Sequence, residues 1–597
     1  MNMLLSLALL MSSVANSPQI TYVVSMPQPE NHYFHIEITV KGLKGKEHDW
    51  FMPVWTPGSY LVREFPKNVT EVRAWDLDYV TIPVHKKDKN TWTIAHNKKD
   101  FVISYSVYAF EESVRTSFLD ADRALFMPSS TCLYPTELDV PVTLKFIPPS
   151  VSSEFNLSQV AVHWKDISTP MEQGSDPWTR ICHSRDELFD SPVEMGNHAV
   201  FPFKAGGNDN YLVMTGEGNY HADTLVDYLQ KIIDEETAVF GSNPAQPYYF
   251  LVNNTQQRGG GLEHKFSSAI QYSRDGYGGD SYKSFLALMA HEYFHIWNVK
   301  RLRPEALGPF DYSQENYTTS LWIVEGFTSY YDDLILQRTG IYSKDEYLSI
   351  AGRNIHNVVN NTGDVYQSVA DASFDAWIKA YRPNENSGNV EVSYYSKGGV
   401  LAMFLDMYII GQSNGKYCLD DVMRAAYDRF YLQRDKGYTE AEFKAVLEEF
   451  AGTSLDNFYR DHVHGTLPLN VNSFVSNVGL EWIPGEADKT AWFGMRVTGN
   501  NTIYSVQPDG PAAMYGLNAE DIIVAVNNVA LTEGFETIRQ TLQPGEPVQI
   551  TVVRRGLPKT FTVVPTINPR PRFTLQPVAS PTEQQKMNFR KWMQEEH

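Results

Sequence analysis

The sequence predicts a multidomain α+β protein in three parts: an N-terminal all-β domain, a mostly helical middle domain and a smaller C-terminal module with strands. Three observations carry this. A chain of 597 residues is longer than one hydrophobic core usually serves, so several domains are expected. Up to about residue 217 the apolar residues come in short alternating runs, the period of strands. From 218 to about 475 they recur at helical spacing, and after about 480 short strands return.

Taken in order, residues 1–16 read as a signal peptide. An apolar stretch runs from Met3 to Met11 and small residues follow, with Ala15 near a cleavage point. The segment before it has no lysine or arginine, which leaves a buried N-terminal strand or helix as the alternative. The export reading implies a bacterial periplasm or a secreted protein. Residues 17–217 form the β-domain, with "HYFHIEITV", "TWTIAHN", "FVISYSVYAF" and "PVTLKFI" as strands and Pro and Gly clusters between them.

Residues 218–475 form the helical domain. "ADTLVDYLQKIIDEETAVFG" is a helix that stops at Gly241, and "YYFLVNN" is a strand. "SYKSFLALMAHEYFHIWNVKRL", "SLWIVEGFTSYYDDLILQRTG" and "YYSKGGVLAMFLDMYIIGQ" are further helices. "TEAEFKAVLEEFAG" opens on a capping box, Thr439 with Glu442, and closes at Gly452. In 476–567 the strands are "TIYSVQP", "DIIVAVNN", "VQITVVRRG" and "TFTVVPT". Residues 568–597, proline-rich and then polar, are expected to be a loosely attached tail.

Composition narrows the function. The net charge is −21 and there is no long basic run, which argues against nucleic acid, because phosphate binding needs a lysine- or arginine-rich face. No stretch after the first reaches the roughly 18–20 apolar residues of a membrane helix. Three cysteines, Cys132, Cys182 and Cys418, make no C-x-x-C. They leave open whether two of them pair, and they do not support cysteine-ligated zinc.

The chemistry concentrates in "MAHEYFHIWN". His291, Glu292 and His295 form H-E-x-x-H. On a helix the two histidines share a face and can reach one ion, with Glu292 aimed at its water. A partly buried helix with satisfied histidines is the alternative. Glu325, 30 residues beyond His295 among apolar neighbours, reads as a carboxylate facing a core, where it needs a cation or a donor; an exposed glutamate on an amphipathic helix is the alternative. In "RGGGLEHKF" the glycines, Gly260 and Gly261 among them, let an extended backbone pass close to a ligand. Glu263 beside such an edge can hold an α-ammonium, although a plain hairpin turn reads the same way. Tyr395 in "SYYSKGG" can donate to an oxyanion, or can simply pack.

The ordered series "GGGLEH", "HEYFH", "WIVEG" and "YSKG" resembles the gluzincin metallopeptidases and parallels the M1-type aminopeptidases. It departs from the latter in Leu-Glu-His where Met-Glu-Asn is usual, and in the longer gap before Glu325. Both departures, together with "FMPVWTPGSYLVREF" and "LFDSPVEMG", resemble the glycyl aminopeptidase family, a sister family with a C-terminal PDZ domain. The resemblance implies a thermolysin-like catalytic domain with one zinc ion per chain on His291, His295 and Glu325. It makes Glu292 the general base, Tyr395 the transition-state donor and Glu263 the anchor of the substrate amino terminus. "SVQPDGPAAMYGLNAEDIIVAVNNVAL" likewise resembles a bacterial PDZ domain, with "WFGMRV" as carboxylate loop and peptide-pairing strand. A C-terminal peptide is then an expected ligand.

The activity implied is a zinc aminopeptidase acting on peptides with free amino termini, with small first residues such as glycine or alanine favoured. An endopeptidase of the same clan is the alternative. So is a PDZ-bearing peptide-binding protein with an idle metal site, against which the retained Glu292 argues.

Overall fold

The computed structural model describes residues 17–149, 164–257, 259–485, 489–570 and 572–594; the signal-peptide reading of residues 1–16 lies outside them. The chain divides into two compact units. The first runs to Tyr317 and includes Phe430–Gly437; the second holds Thr318–Arg429 and the chain from Tyr438 on.

In the first unit the β-rich part is organised on an eight-stranded sheet. Its strand Tyr33–Lys41 pairs antiparallel with both Gln19–Ser25 and Phe101–Tyr108. Phe34, Ile36, Ile38 and Val40 are fully buried while the residues between them are not. That alternation is the period-2 pattern of a sheet with one face on the core. Each such side chain contributes about 1.5–3 kcal/mol of burial.

A five-stranded sheet follows, in the order Ala199–Ala205, Asn208–Thr215, Tyr248–Thr255, Ser267–Ser273, Gly260–Glu263. The three middle strands are parallel. The first parallel crossover is the helix Ala222–Phe240, ended by Gly241 at φ 78° as its sequence predicts. The last strand, Gly260–Glu263, is antiparallel and stands at the edge. The boundary expected at 217 therefore falls inside this sheet. Ala199–Ala205 and Asn208–Thr215 alternate like the strands before them, and only their pairing assigns them to the layer that carries the motif glycines.

The helix with the two histidines is Gly279–Phe294, shorter than its apolar pattern predicts. His295 is its C-cap, and the Lys300 N–H bonds back to the His295 carbonyl. Val299 at φ 138° turns the chain away, a conformation costly for a β-branched residue.

The second unit is largely helical. The predicted helix around "WIVEG" begins as a π-helix, Trp322–Phe327, and continues as the α-helix Thr328–Arg338. Tyr394–Gln412 is capped by Ser393, whose hydroxyl accepts from the Ser396 N–H. The Thr439–Glu442 capping box and Gly452 at φ 67° bound Glu440–Ala451, as predicted. The C-terminal module closes on its own core, in which Phe493, Ile503, Leu517, Ile550 and Val552 are buried. Among the described residues no helix is long and apolar enough to cross a membrane. The three cysteines are buried and unpaired with one another.

The expected loose tail is instead built in. Phe573–Pro577 pairs with Leu480–Pro484. Glu583–Met593 is a helix with its own capping box, Thr582 with Gln585. Trp592 is fully buried, and its Nε1–H donates to the Tyr330 hydroxyl at 2.9 Å. The segment's polar composition hid this, because its docking rests on few side chains. Trp592→Ala is expected to destabilise the second unit by about 3–5 kcal/mol, the usual cost of emptying a buried tryptophan site, measured as a lower urea midpoint with an unchanged slope.

Candidate functional site

The first unit gathers three of the expected site residues. Ligand atoms of Glu263, Glu292 and His295 lie within 4.8 Å of one another, with the three residues 4%, 4% and 1% exposed. The rings of His291 and His295 stand 4.8 Å apart at 85°, as two histidines one helical turn apart allow. The His295 Nδ1 is 2.8 Å from the Asn298 carbonyl. A carbonyl can only accept, so Nδ1 carries the proton and Nε2 is left with its lone pair. This backing bond is what metal-ligating histidines use to fix tautomer and ring angle.

Glycine makes this crowding feasible. A Cβ on Gly261 would stand 2.0 Å from Glu292 Oε1, so the edge strand passes directly over the Glu292 carboxylate. A Cβ on Gly260 would meet nothing within 4 Å, so that position borders open space. Gly58, in the "TPGSY" turn at φ 87°, lies against the other acid: its Cβ would stand 2.3 Å from Glu263 Oε2. Glu263 Oε1 is buried and makes no hydrogen bond among the described residues, which leaves a carboxylate oxygen to be satisfied by something that binds.

Behind Glu263 lies a buried charge cluster. Asp190 accepts from the Lys300 ammonium at 3.0 Å, from His264 Nδ1 at 3.1 Å and from the Lys265 N–H at 2.8 Å. Burial alone would raise its pKa, but Lys300 and His264 outweigh burial and hold it well below the usual carboxylate range. Burial likewise opposes the charge on Lys300, yet Asp190 and then Glu263 raise its pKa above the ordinary value. The lysine therefore stays charged.

The second unit holds Glu325 and Tyr395. Glu325 is 2% exposed on the π-helix, a helix form frequent at functional sites. Burial, with Glu325 as the next cause, pushes the Tyr395 hydroxyl well above the usual phenol range, so it stays a proton donor. The Tyr381 hydroxyl lies 3.3 Å from it. The two motif glycines meet: a Cβ on Gly326 would be 2.5 Å from the Cα of Gly398, and one on Gly398 would be 2.6 Å from the Trp322 carbonyl. Lys397 of the same motif pairs with Asp364 and is buried, which gives it a structural role.

Sequence reasoning missed Gly58, Asp190, Asn298, Lys300 and Tyr381. Gly58 and Asp190 stand inside stretches it singled out, "TPGSY" and "LFDSPVEMG", where nothing local shows what each touches. Asn298 acts through its backbone, so its side chain carries no signal.

Comparison with known proteins bears on these motifs. Residues 284–401 match the family model described as M61 glycyl aminopeptidase, and residues 21–197 match the Peptidase M61 N-terminal domain. Residues 502–554 match a PDZ domain. An aminopeptidase N family protein from Idiomarina loihiensis has a similar solved structure. It is 28% identical, with a TM-score of 0.88 over 96% of this chain and 100% of that one. Curated relatives match in part. The serine endoprotease DegS of Salmonella typhimurium is 30% identical over 16% of this chain and 26% of its own length. A probable protease, eep, of Enterococcus faecalis is 25% identical over 27% of this chain and 36% of its own. The chain thus spans about a quarter to a third of these two curated relatives.

Gly326→Ala is expected to force apart the two helices that carry Glu325 and Tyr395. Overpacking of this kind costs about 1–3 kcal/mol, read as a lower thermal midpoint. A midpoint unchanged from the parent would show that the two backbones do not need this contact.

Proposed function

The chain carries the N-terminal domain and the catalytic, zinc metallopeptidase domain of the M61 glycyl aminopeptidase family together with a PDZ domain, and on that premise we propose that the protein is an aminopeptidase that removes single residues from free amino termini. The observation that carries the reading is the clustering of Glu263 with Glu292 and His295 at the edge strand of the five-stranded sheet. An extended peptide added to the Gly260–Glu263 edge would run its backbone along the strand. Its terminal ammonium would meet Glu263, and Glu292 stands beside that carboxylate to serve the first peptide bond. A site built for internal bonds has no need of a buried acid at the end of its edge strand.

The metal belongs to the same reading. Two imidazoles and a carboxylate, His291, His295 and Glu325, are a donor set of the kind zinc takes in hydrolases. The fit is supported by the proton on His295 Nδ1, which leaves Nε2 as the ring nitrogen that presents a lone pair, and by the burial of Glu263, Glu292 and Glu325, since buried carboxylates call for cations. When bound, zinc supplies Lewis acidity toward the scissile carbonyl and acidifies water. Glu292 accepts the proton of the attacking water and passes it to the leaving amine. Tyr395, held protonated by its burial, donates a hydrogen bond to the oxygen on which negative charge develops.

A small first residue is the preference proposed: the family description names glycine, and alanine is the next smallest side chain. Capture of a C-terminal peptide by the PDZ module follows from its kind. Export is supported by the signal-like composition of residues 1–16.

Two substitutions separate metal holding from proton transfer. Glu325→Ala should lower the zinc content found by elemental analysis, since one of three ligands is gone. Glu292→Gln should keep its zinc and lose roughly 10²–10⁴-fold in rate. A Glu325→Ala protein with full metal and full activity would mean that another group is the third ligand.

Glu263→Ala tests the exopeptidase reading. A charge-assisted bond to the ammonium contributes about 1.5–3 kcal/mol, or about 10- to 150-fold. kcat/KM should fall by that order for peptides with a free amino terminus, and residual cleavage of N-acetylated peptides should hardly change. Efficient cleavage of blocked peptides by the wild type would make the protein an endopeptidase.

A further inference from the structure

Resting on the aminopeptidase reading, we propose that Asp190 is the positioning residue of the amino-terminus site: it holds the Lys300 ammonium to itself and so keeps Glu263 available for the ammonium of the peptide. The geometry sets up a competition. Lys300 is 6% exposed, and a buried ammonium needs a carboxylate partner. The carboxylates of Asp190 and Glu263 both act on it, Asp190 more strongly. Asp190 takes it, at 3.0 Å. Glu263 does not, since its Oε1 is buried without a partner among the described residues, although its charge still acts on the lysine.

Asp190 is well placed to prevail. It sits at the C-cap of the helix Arg185–Phe189. The Lys265 N–H reaches one of its oxygens at 2.8 Å, and His264 Nδ1 reaches the other at 3.1 Å. The two bonds come from the residues that follow Glu263 in the chain, so the acid that engages the lysine is tied to the strand that carries the anchor. On its other side Glu263 meets the bare backbone of Gly58, which brings no side-chain donor. With Asp190 and Lys300 paired to each other, the Glu263 carboxylate is left to meet one incoming cation. That carboxylate is the complement of one ammonium.

Removing the Asp190 charge should turn Lys300 into a competitor for the substrate. In Asp190→Asn the lysine swings to Glu263, and KM for glycine and alanine p-nitroanilides should rise about 10- to 100-fold, the order of one charge-assisted bond. kcat and zinc content should stay within a few-fold of the parent. A purely structural role would lower kcat and zinc content together. Lys300→Met, which removes the competitor, should leave KM unchanged or lower it. Asp190→Asn with Lys300→Met should bring KM back to within a few-fold of the parent. An unchanged KM in Asp190→Asn, or a KM raised in both Lys300→Met and the double variant, would overturn the inference. If Asp190→Asn does not fold, as judged by circular dichroism, the Lys300→Met and double-variant values decide alone. The parent's preference for free over N-acetylated peptides is measured first. Without that preference the aminopeptidase reading and this inference both fail; with it, a failure in the variants falls on Asp190 only.

Discussion

Burying negative charge at one place is the constraint around which the first unit is arranged. Glu263 and Glu292 bring carboxylate oxygens within 4.8 Å of each other and of His295, nearly closed off from solvent. Like charges that close in a low-dielectric setting repel strongly and are expensive to desolvate. Each must be compensated or left for a ligand. The structure does both: the Asp190–Lys300 pair is satisfied internally, while Glu263 Oε1 is not. The glycines at 58 and 261 follow from the same constraint, because only a backbone without Cβ passes so near the two carboxylates.

The second unit meets a steric constraint of a different kind. Glu325 lies on one helix and Tyr395 on another, and the two backbones touch through Gly326 and Gly398. The glycine that follows the acid and the glycine that closes Y-S-K-G are thus two halves of one contact. Ion pairing of Lys397 with Asp364 adds a second tie to the Tyr395 helix. The network Trp592–Tyr330–Asp406 then pins the helix that continues from Glu325.

Much of this was legible in the chain, for a physical reason. Helices with caps announce themselves locally, so Thr439–Glu442 and Gly241 are readable one residue at a time. The histidines of H-E-x-x-H are readable because four residues is one helical turn. Pairing is not local. That Ala199–Ala205 and Asn208–Thr215 join the strand Tyr248–Thr255 cannot be seen in their alternation, which suits either sheet. The π-helix at Trp322–Phe327 was invisible because its apolar spacing over six residues fits an α-helix as well. The burial of Trp592 was missed because one tryptophan in a polar segment carries little weight until its partners are known. Asp190 and Lys300 stand 110 residues apart, and no periodicity links them.

The edge strand Gly260–Glu263 has an implication for self-association. A sheet edge left open for an incoming peptide offers the same hydrogen bonds to any other extended chain, including another copy of itself. This edge is four residues long, begins with two glycines and ends at an acid set in the interior. Gly-rich backbone gives a second strand no side chains to grip, and so short a run gives few bonds. Brevity therefore acts as the safeguard against fibrous stacking: on the proposed reading, a visiting strand stays only if it brings something that the acid at its end can hold.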